Sequence, residues 1–363
     1  MIAALLLAAA ASVTPVPAGT ATGAALPLRV EGRVERTAEG WRRQWPGTYF
    51  EGAFDGRQAL LRVGAGAVTL HVLVDGDPVA TLVKPAAGLY RVGGLAAGQH
   101  VLRIEVASES QAAPTVFGGM FAAPGATALP APASRRRQVE FVGDSHTVGY
   151  GNTSPTTECS EDQVWRTTDT SQGIAGQFAR GAQADYRVDA ISGRGVVRNY
   201  GGFAADKLPE AYPYVLFDKA TPADDAGWHP QLIVVALGTN DFSTPLKPGE
   251  RWADRAALHA DYEATYMRFL HGLRTAHPQA HLLLWATDMA DGEIAAEEAK
   301  VVDRLTAEGM RDIGFLRAPK LAFGGCHSHP SVADDRLIAD AIARYAEAHH
   351  VWSDADGRHG QGG

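Results

Sequence analysis

Four short clusters in this chain combine residue types that can move protons or hold charge. The first is Gly143-Asp144-Ser145-His146. A serine on a tight turn after a buried strand exposes its hydroxyl at the edge of a sheet as a nucleophile, or caps the next helix with the same oxygen. The second is Ser192-Gly193-Arg194-Gly195. Either glycine lets the backbone approach a ligand and aim an N–H at it, or makes a plain turn. The third is Gly238-Thr239-Asn240-Asp241. The Asn240 amide is a donor for a developing anion, or it closes an Asx turn. The fourth is Cys326-His327-Ser328-His329-Pro330-Ser331. Pro330 fixes its own φ at a helix start and steadies the histidine before it. Cys326, His327 and His329 are residue types that bind zinc, yet no second Cys/His cluster accompanies them. The competing reading makes His329 a general base for Ser145. Singly, each cluster has an ordinary explanation. Together they supply a nucleophile, a base and two kinds of oxyanion donor, the equipment of a serine hydrolase.

Such residues must be held by a scaffold, and the chain shows two rhythms. From Leu28 to Phe121 it reads as strands. Val68, Leu70, Val72 and Val74 share one face, and Leu102, Ile104 and Val106 repeat the alternation, so one side is buried and the other wet. Asp75-Gly76-Asp77 and Gly93-Gly94 punctuate these runs as turns. A small antiparallel β-sandwich, jelly-roll-like, over residues 28–123 is the simplest architecture. Residues 124–136 are rich in Ala and Pro and read as a semi-stiff linker. Beyond it, over 137–351, continuous apolar runs at Val139–Val142, Tyr186–Ile191, Leu232–Leu237 and Leu282–Ala286 suit strands covered on both faces. Helical stretches lie between and after them, at Gly173–Gln183, Asp254–His277, Glu293–Met310 and Ser331–His349. Alternating strands and helices predict a three-layer α/β domain on a parallel sheet. Each cluster then falls where open α/β sheets place their sites, at strand ends.

Composition excludes several classes. Asp plus Glu number 41 against 33 Lys plus Arg, a net charge of −8, which argues against nucleic-acid binding. Two cysteines, Cys159 and Cys326, cannot make a disulfide-dense scaffold. The first residues form an apolar run too short for the roughly 20 residues of a membrane span, and small residues follow at Ala18–Ala21. Residues 1–25 therefore read as an export signal, although the usual positive start is missing. In an exported protein, secreted or periplasmic, Cys159 and Cys326 pair; their other reading is two small buried hydrophobes. Residues 352–363 read as a frayed tail.

In this setting the clusters resemble the SGNH, or GDSL-type, hydrolases. Gly143-Asp144-Ser145 matches the nucleophile block, Ser192-Gly193 the glycine block, Gly238-Thr239-Asn240-Asp241 the asparagine block and His329-Pro330 the histidine block, in the right order. The resemblance implies a flavodoxin-like parallel sheet. The fuller pattern is similar to carbohydrate esterase family 2, whose members join an N-terminal β-sandwich to this domain. They carry a stretch like Ser192-Gly-Arg-Gly-Val-Val-Arg-Asn-Tyr200 and a Cys three residues before the histidine, as Cys326 stands to His329.

The implied activity is removal of acetyl groups from plant polysaccharide such as xylan or glucomannan. Ser145 and His329 are the implied catalytic pair. The implied oxyanion donors are the N–H groups of Ser145 and Gly193, with Gly195 the alternative, and the side chain of Asn240. No metal or organic cofactor is implied. The partner is an acetylated oligo- or polysaccharide, not nucleic acid or membrane. Departures are specific. Where relatives place Asp three or two residues before the histidine, this chain has Cys326 and His327; where many have Trp, it has Ser328. A backbone carbonyl or a distant carboxylate must then orient His329. Trp165, Tyr200, Tyr212 and Trp285 are candidates for sugar stacking or core filling, and Asp144 and Asp241 for holding loops. The rival readings are a lipase, lysophospholipase or thioesterase of the same mechanism, and a carbohydrate-binding protein without turnover.

Overall fold

A computed structural model describes residues 10–352. The expected leader and the expected tail 352–363 both lie partly outside them; Trp352, the first residue of that tail, is buried against Phe178 rather than frayed. Two compact units result. The first comprises residues up to Gln44 and Thr48–Ser134; the second comprises Trp45–Gly47 and the chain from Arg135.

The first unit is antiparallel throughout. Its strands are β1 (Ser12–Pro15), β2 (Leu28–Glu31), β3 (Val34–Thr37), β4 (Gly40–Arg43), β5 (Tyr49–Asp55), β6 (Ala59–Val63), β7 (Thr69–Val74), β8 (Asp77–Val83), β9 (Gly88–Gly93), β10 (Gln99–Val106), β11 (Thr115–Ala122) and β12 (Thr127–Ala128). One sheet runs β1-β9-β6-β11-β4-β3, the other β12-β5-β10-β7-β8 with β2 also on β5. Their inner faces share one core: Leu61, Val63, Phe117 and Met120 from the first meet Phe50, Phe54, Val72, Leu102 and Ile104 from the second. The period-2 pattern thus makes a sandwich. Two segments differ from expectation. Ser12–Pro15, within the expected leader, pairs with β9, and Thr127–Ala128, within the expected linker, pairs with β5. Short runs gain backbone partners wherever an edge offers unpaired groups.

The second unit is built on a five-stranded sheet of β13 (Arg137–Gly143), β14 (Ala184–Ala190), β15 (Leu232–Ala236), β16 (His281–Ala286) and β17 (Ile313–Arg317). The order is β14-β13-β15-β16-β17 and every pairing is parallel. This is the flavodoxin-like order, whose switch point lies between β13 and β15. The helices are α1 (Ser145–Val148), α2 (Glu161–Thr167), α3 (Ile174–Ala182), α4 (Leu208–Ala211), α5 (Thr239–Phe242), α6 (Arg255–Ala276), α7 (Glu293–Ala307) and α8 (Val332–Ala348). Asp254 caps α6 by accepting from Ala257 N–H, and Ser331 caps α8 in a reciprocal box with Asp334.

The apolar strands serve two cores at once. Val142, Ile233, Val235, Leu282 and Leu284 pack with Tyr262, Leu270, Ile294 and Val301 of α6 and α7. On the opposite face Phe141 meets Phe178 of α3 edge-on, with ring centroids 5.7 Å apart. Trp45 belongs with the second unit: its indole is fully buried in that core, donates to Tyr214 O at 3.0 Å and packs edge-on against Phe217. Among the described residues no helix is long and apolar enough to cross a membrane.

Phe141 is 1% exposed on the strand that delivers Ser145. Phe141→Ala should destabilise the protein by about 3–5 kcal/mol, read as a lower denaturant midpoint. A loss below about 1 kcal/mol would mean that α3 does not seal that face of the sheet.

Candidate active site

Ser145 enters its position from the end of β13. Gly143 cannot be replaced there, since a Cβ would stand 2.1 Å from Thr147 Oγ1 and 3.0 Å from Ala236 O. Asp144 caps α1 by accepting from His146 N–H at 3.1 Å. Ser145 thus starts a helix turn on the switch-point strand, buried but not sealed at 5% exposure.

His329 reaches the same point from the turn before α8. Its Nε2 lies 2.9 Å from Ser145 Oγ, and its Nδ1 lies 3.0 Å from Cys326 O. A carbonyl oxygen only accepts, so Nδ1 carries the proton and the Nε2 lone pair faces the serine hydroxyl. The orienter left open between a carbonyl and a carboxylate is therefore the Cys326 main chain. Burial lowers the imidazole to about 4, against the bond to Cys326 O, so the ring is neutral near pH 7. Cys326 and Cys159 form a disulfide closing 167 residues. That bond consumes the sulfur a zinc site would need, and removes the zinc reading of this cluster.

The donor side is assembled from the loops after β14 and β15. Gly193 has φ +81°, where a side chain is strained, and among the described residues its N–H has no acceptor. Gly195 differs. Its N–H donates to Asn199 Oδ1 at 3.3 Å, and a Cβ there would meet Arg198 O at 2.1 Å and Asp241 Oδ2 at 2.4 Å. Gly195 therefore serves close packing, whereas Gly193 offers a donor. The Asn240 amide bridges both loops to the nucleophile turn, donating to Asp144 Oδ2 at 3.0 Å and to Arg194 O at 2.8 Å.

Asp241 and Arg198 lock this arrangement. Asp241 is completely buried and accepts from Val196, Val197 and Arg198 N–H at 2.8–2.9 Å. The Arg198 guanidinium donates to Asp241 O, Thr244 O and Oγ1, Pro245 O and Glu250. Burial pushes Asp144 up to about 7, helped by the Asp241 charge, and lifts Asp241 to about 6 against its three N–H donors.

Of the candidate aromatics, Trp285 is buried, Tyr212 donates to Glu140, Trp165 is half-buried and Tyr200 stands 56% exposed. Tyr200 N–H donates to Gly193 O at 3.0 Å, which ties it to the donor loop. Two neighbours of His329 carried no signal of their own in the sequence: Tyr150, whose ring centroid is 4.4 Å away, and His146, at 5.4 Å. His146 is visible only as the residue after the serine.

Known proteins resemble the chain along both units. The Carbohydrate esterase 2 N-terminal family matches residues 30–132 and the GDSL-like Lipase/Acylhydrolase family matches 141–357. A Cellvibrio japonicus protein named acetylxylan esterase / glucomannan deacetylase is 39% identical over 328 residues, covering 89% of this chain and 91% of its own. A solved carbohydrate esterase, whose active site is described as displaying divergent catalytic and non-catalytic binding functions, superimposes with a TM-score of 0.84 at 37% identity, covering 91% of this chain and all of its own. A family two carbohydrate esterase from Clostridium thermocellum, solved in complex with cellohexaose, gives 0.80 at 26% identity, covering 90% and 99%. With matches spanning both units, the chain belongs to the GDSL-like lipase/acylhydrolases and, among them, to the family 2 carbohydrate esterases.

Proposed function

We propose that this carbohydrate esterase is a serine acetylesterase acting on acetylated plant polysaccharide, xylan or glucomannan. The observation that carries the reading is the 2.9 Å approach of Ser145 Oγ to an imidazole nitrogen that presents a lone pair. The substrate class follows the name of the 39% identical relative. The exposed Tyr200 beside the donor loop supports a sugar-facing rim.

In this reading His329 Nε2 takes the hydroxyl proton as Ser145 Oγ attacks the acetyl carbonyl carbon. The oxyanion is received by the N–H groups of Ser145 and Gly193. Asn240 joins them by sharing or exchanging one of its bonds to Asp144 Oδ2 and Arg194 O. As the tetrahedral intermediate collapses, the sugar oxygen leaves and takes the proton from His329. Water then attacks the acetyl-serine, giving its proton to His329. As that intermediate collapses the bond from Ser145 Oγ to the acyl carbon breaks, Oγ takes the proton back from His329, and acetate departs. The chemistry uses only the chain's own groups. We extend the proposal to export, secreted or periplasmic, since a structural disulfide persists in oxidising compartments.

Three measurements test this. Wild type should hydrolyse 4-nitrophenyl acetate much faster than the octanoate ester and release acetate from acetylated xylan or glucomannan, and Ser145→Ala should abolish both. Faster octanoate turnover would favour the lipase reading, and glycan binding without hydrolysis the non-catalytic one. Asn240→Ala should lower kcat about 10²–10³-fold with little change in KM, and wild-type kcat would remove Asn240 from the oxyanion site. The base must be unprotonated, so kcat/KM should fall as pH drops through about 4. A limb near 6.5, the ordinary histidine value, would place the imidazole in solvent.

A further inference from the structure

Besides its covalent link through Cβ, the His329 ring makes two hydrogen-bond contacts, with Cys326 O and Ser145 Oγ. Both lie near the ring plane and resist displacement of the ring toward either face only weakly. A packing contact on the face limits that excursion directly.

Tyr150 supplies such a contact. It follows α1 directly, and its N–H donates to Ser145 O at 3.1 Å, so it moves with the nucleophile turn. Its ring lies over His329 with centroids 4.4 Å apart and planes inclined by 34°. The Tyr150 hydroxyl is anchored in turn: His327 Nδ1 lies 3.1 Å from it, and His327 Nε2 lies 2.8 Å from Cys159 O. The carbonyl of Cys159 only accepts, so Nε2 of His327 carries the proton, Nδ1 is bare, and the tyrosine O–H is the donor. Neither of these two bonds of the His327 imidazole is to His329.

The anchor sits on constrained backbone. His327 and Ser328 both have positive φ, 52° and 57°. Such strain persists where the surroundings over-determine it. Here His327 N–H donates to Thr157 O at 2.7 Å, and the Cys159–Cys326 bond ties together the residues that accept from His327 and from His329.

We propose that His327 and Tyr150 are positioning residues for the general base: His327 holds the tyrosine hydroxyl, the tyrosine ring braces the face of His329, and the disulfide keeps both carbonyl acceptors in register. The brace rests on the serine-esterase reading above. It gives His327 a task distinct from that of a triad carboxylate, since this histidine works through the tyrosine.

The test compares wild type, Tyr150→Phe, His327→Ala, the double variant and His327→Asn on 4-nitrophenyl acetate. Asn tolerates positive φ and offers Oδ1 near the position of Nδ1. Each of Tyr150→Phe and His327→Ala should lower kcat about tenfold with KM unchanged. The double variant should fall no further than the worse single, and His327→Asn should recover most of the rate. Multiplicative losses in the double variant, or wild-type kcat in Tyr150→Phe, would overturn the brace. Independently of turnover, ¹⁵N-histidine NMR of the wild type reads the tautomers. Nε2–H on His327 with Nδ1–H on His329 is expected, and Nδ1–H on His327 overturns the proposal even if the variants fail to fold. A wild type inactive on every ester would instead sink the esterase reading, leaving the tautomers to decide the brace.

Discussion

A carboxylate sealed from water must find donors for its charge, and Asp241 finds them in three successive backbone N–H groups of another loop. That one requirement joins the segment after β14 to the segment after β15. Arg198, itself buried, closes the joint by donating back to Asp241 O and onward to Thr244, Pro245 and Glu250. Gly193 and Asn240, the oxyanion donors of the proposed mechanism, sit on these two loops. Leaving a buried charge without its partners costs about 3–5 kcal/mol, enough to free both loops. The alignment of the donors is thus a by-product of satisfying Asp241.

The opposite wall solves a different problem. A carboxylate behind a histidine selects its tautomer and also stabilises the imidazolium; a carbonyl does the first and only partly the second. The surroundings of His329 agree with a ring that is neutral at rest. His146, packed 5.4 Å away, is lowered to about 3 by burial, with His329 contributing, so it adds no positive charge beside the base near neutral pH. In the proposed mechanism the imidazolium formed during attack is transient and lies beside the oxyanion formed with it.

Much of this was readable from residues alone, and the reason is topological. In a parallel sheet the chain must leave each strand at the same edge, so Gly143-Asp144-Ser145, Ser192-Gly193 and Gly238-Thr239-Asn240 follow apolar runs and converge. The helical stretches read from Asp254 and from Ser331 begin where the structure places their caps, because a short polar side chain satisfies the first free N–H groups of a helix. Other features left no mark. β17 is a half-buried edge strand of five residues, with too little alternation to read. Trp45 interrupts a run of strands yet packs in the second unit, a long-range choice that no local pattern encodes. Gly193 and Gly195 are the same letter, and only φ and the destination of each N–H separate them. Tyr150 is an ordinary aromatic until its ring is seen over His329.

The acceptor for His329 Nδ1 belongs to the main chain, and every residue type has a main-chain carbonyl. No substitution at position 326 can delete it. A side-chain scan would score Cys326 for its sulfur alone and assign nothing to the atom that sets the tautomer of the base. Alignments share this blindness, because they register the missing aspartate and not the carbonyl that accepts from Nδ1 in its place. Replacing the amide between Cys326 and His327 with an ester, which weakens that carbonyl as an acceptor while sparing both side chains, is the chemistry that would make it visible.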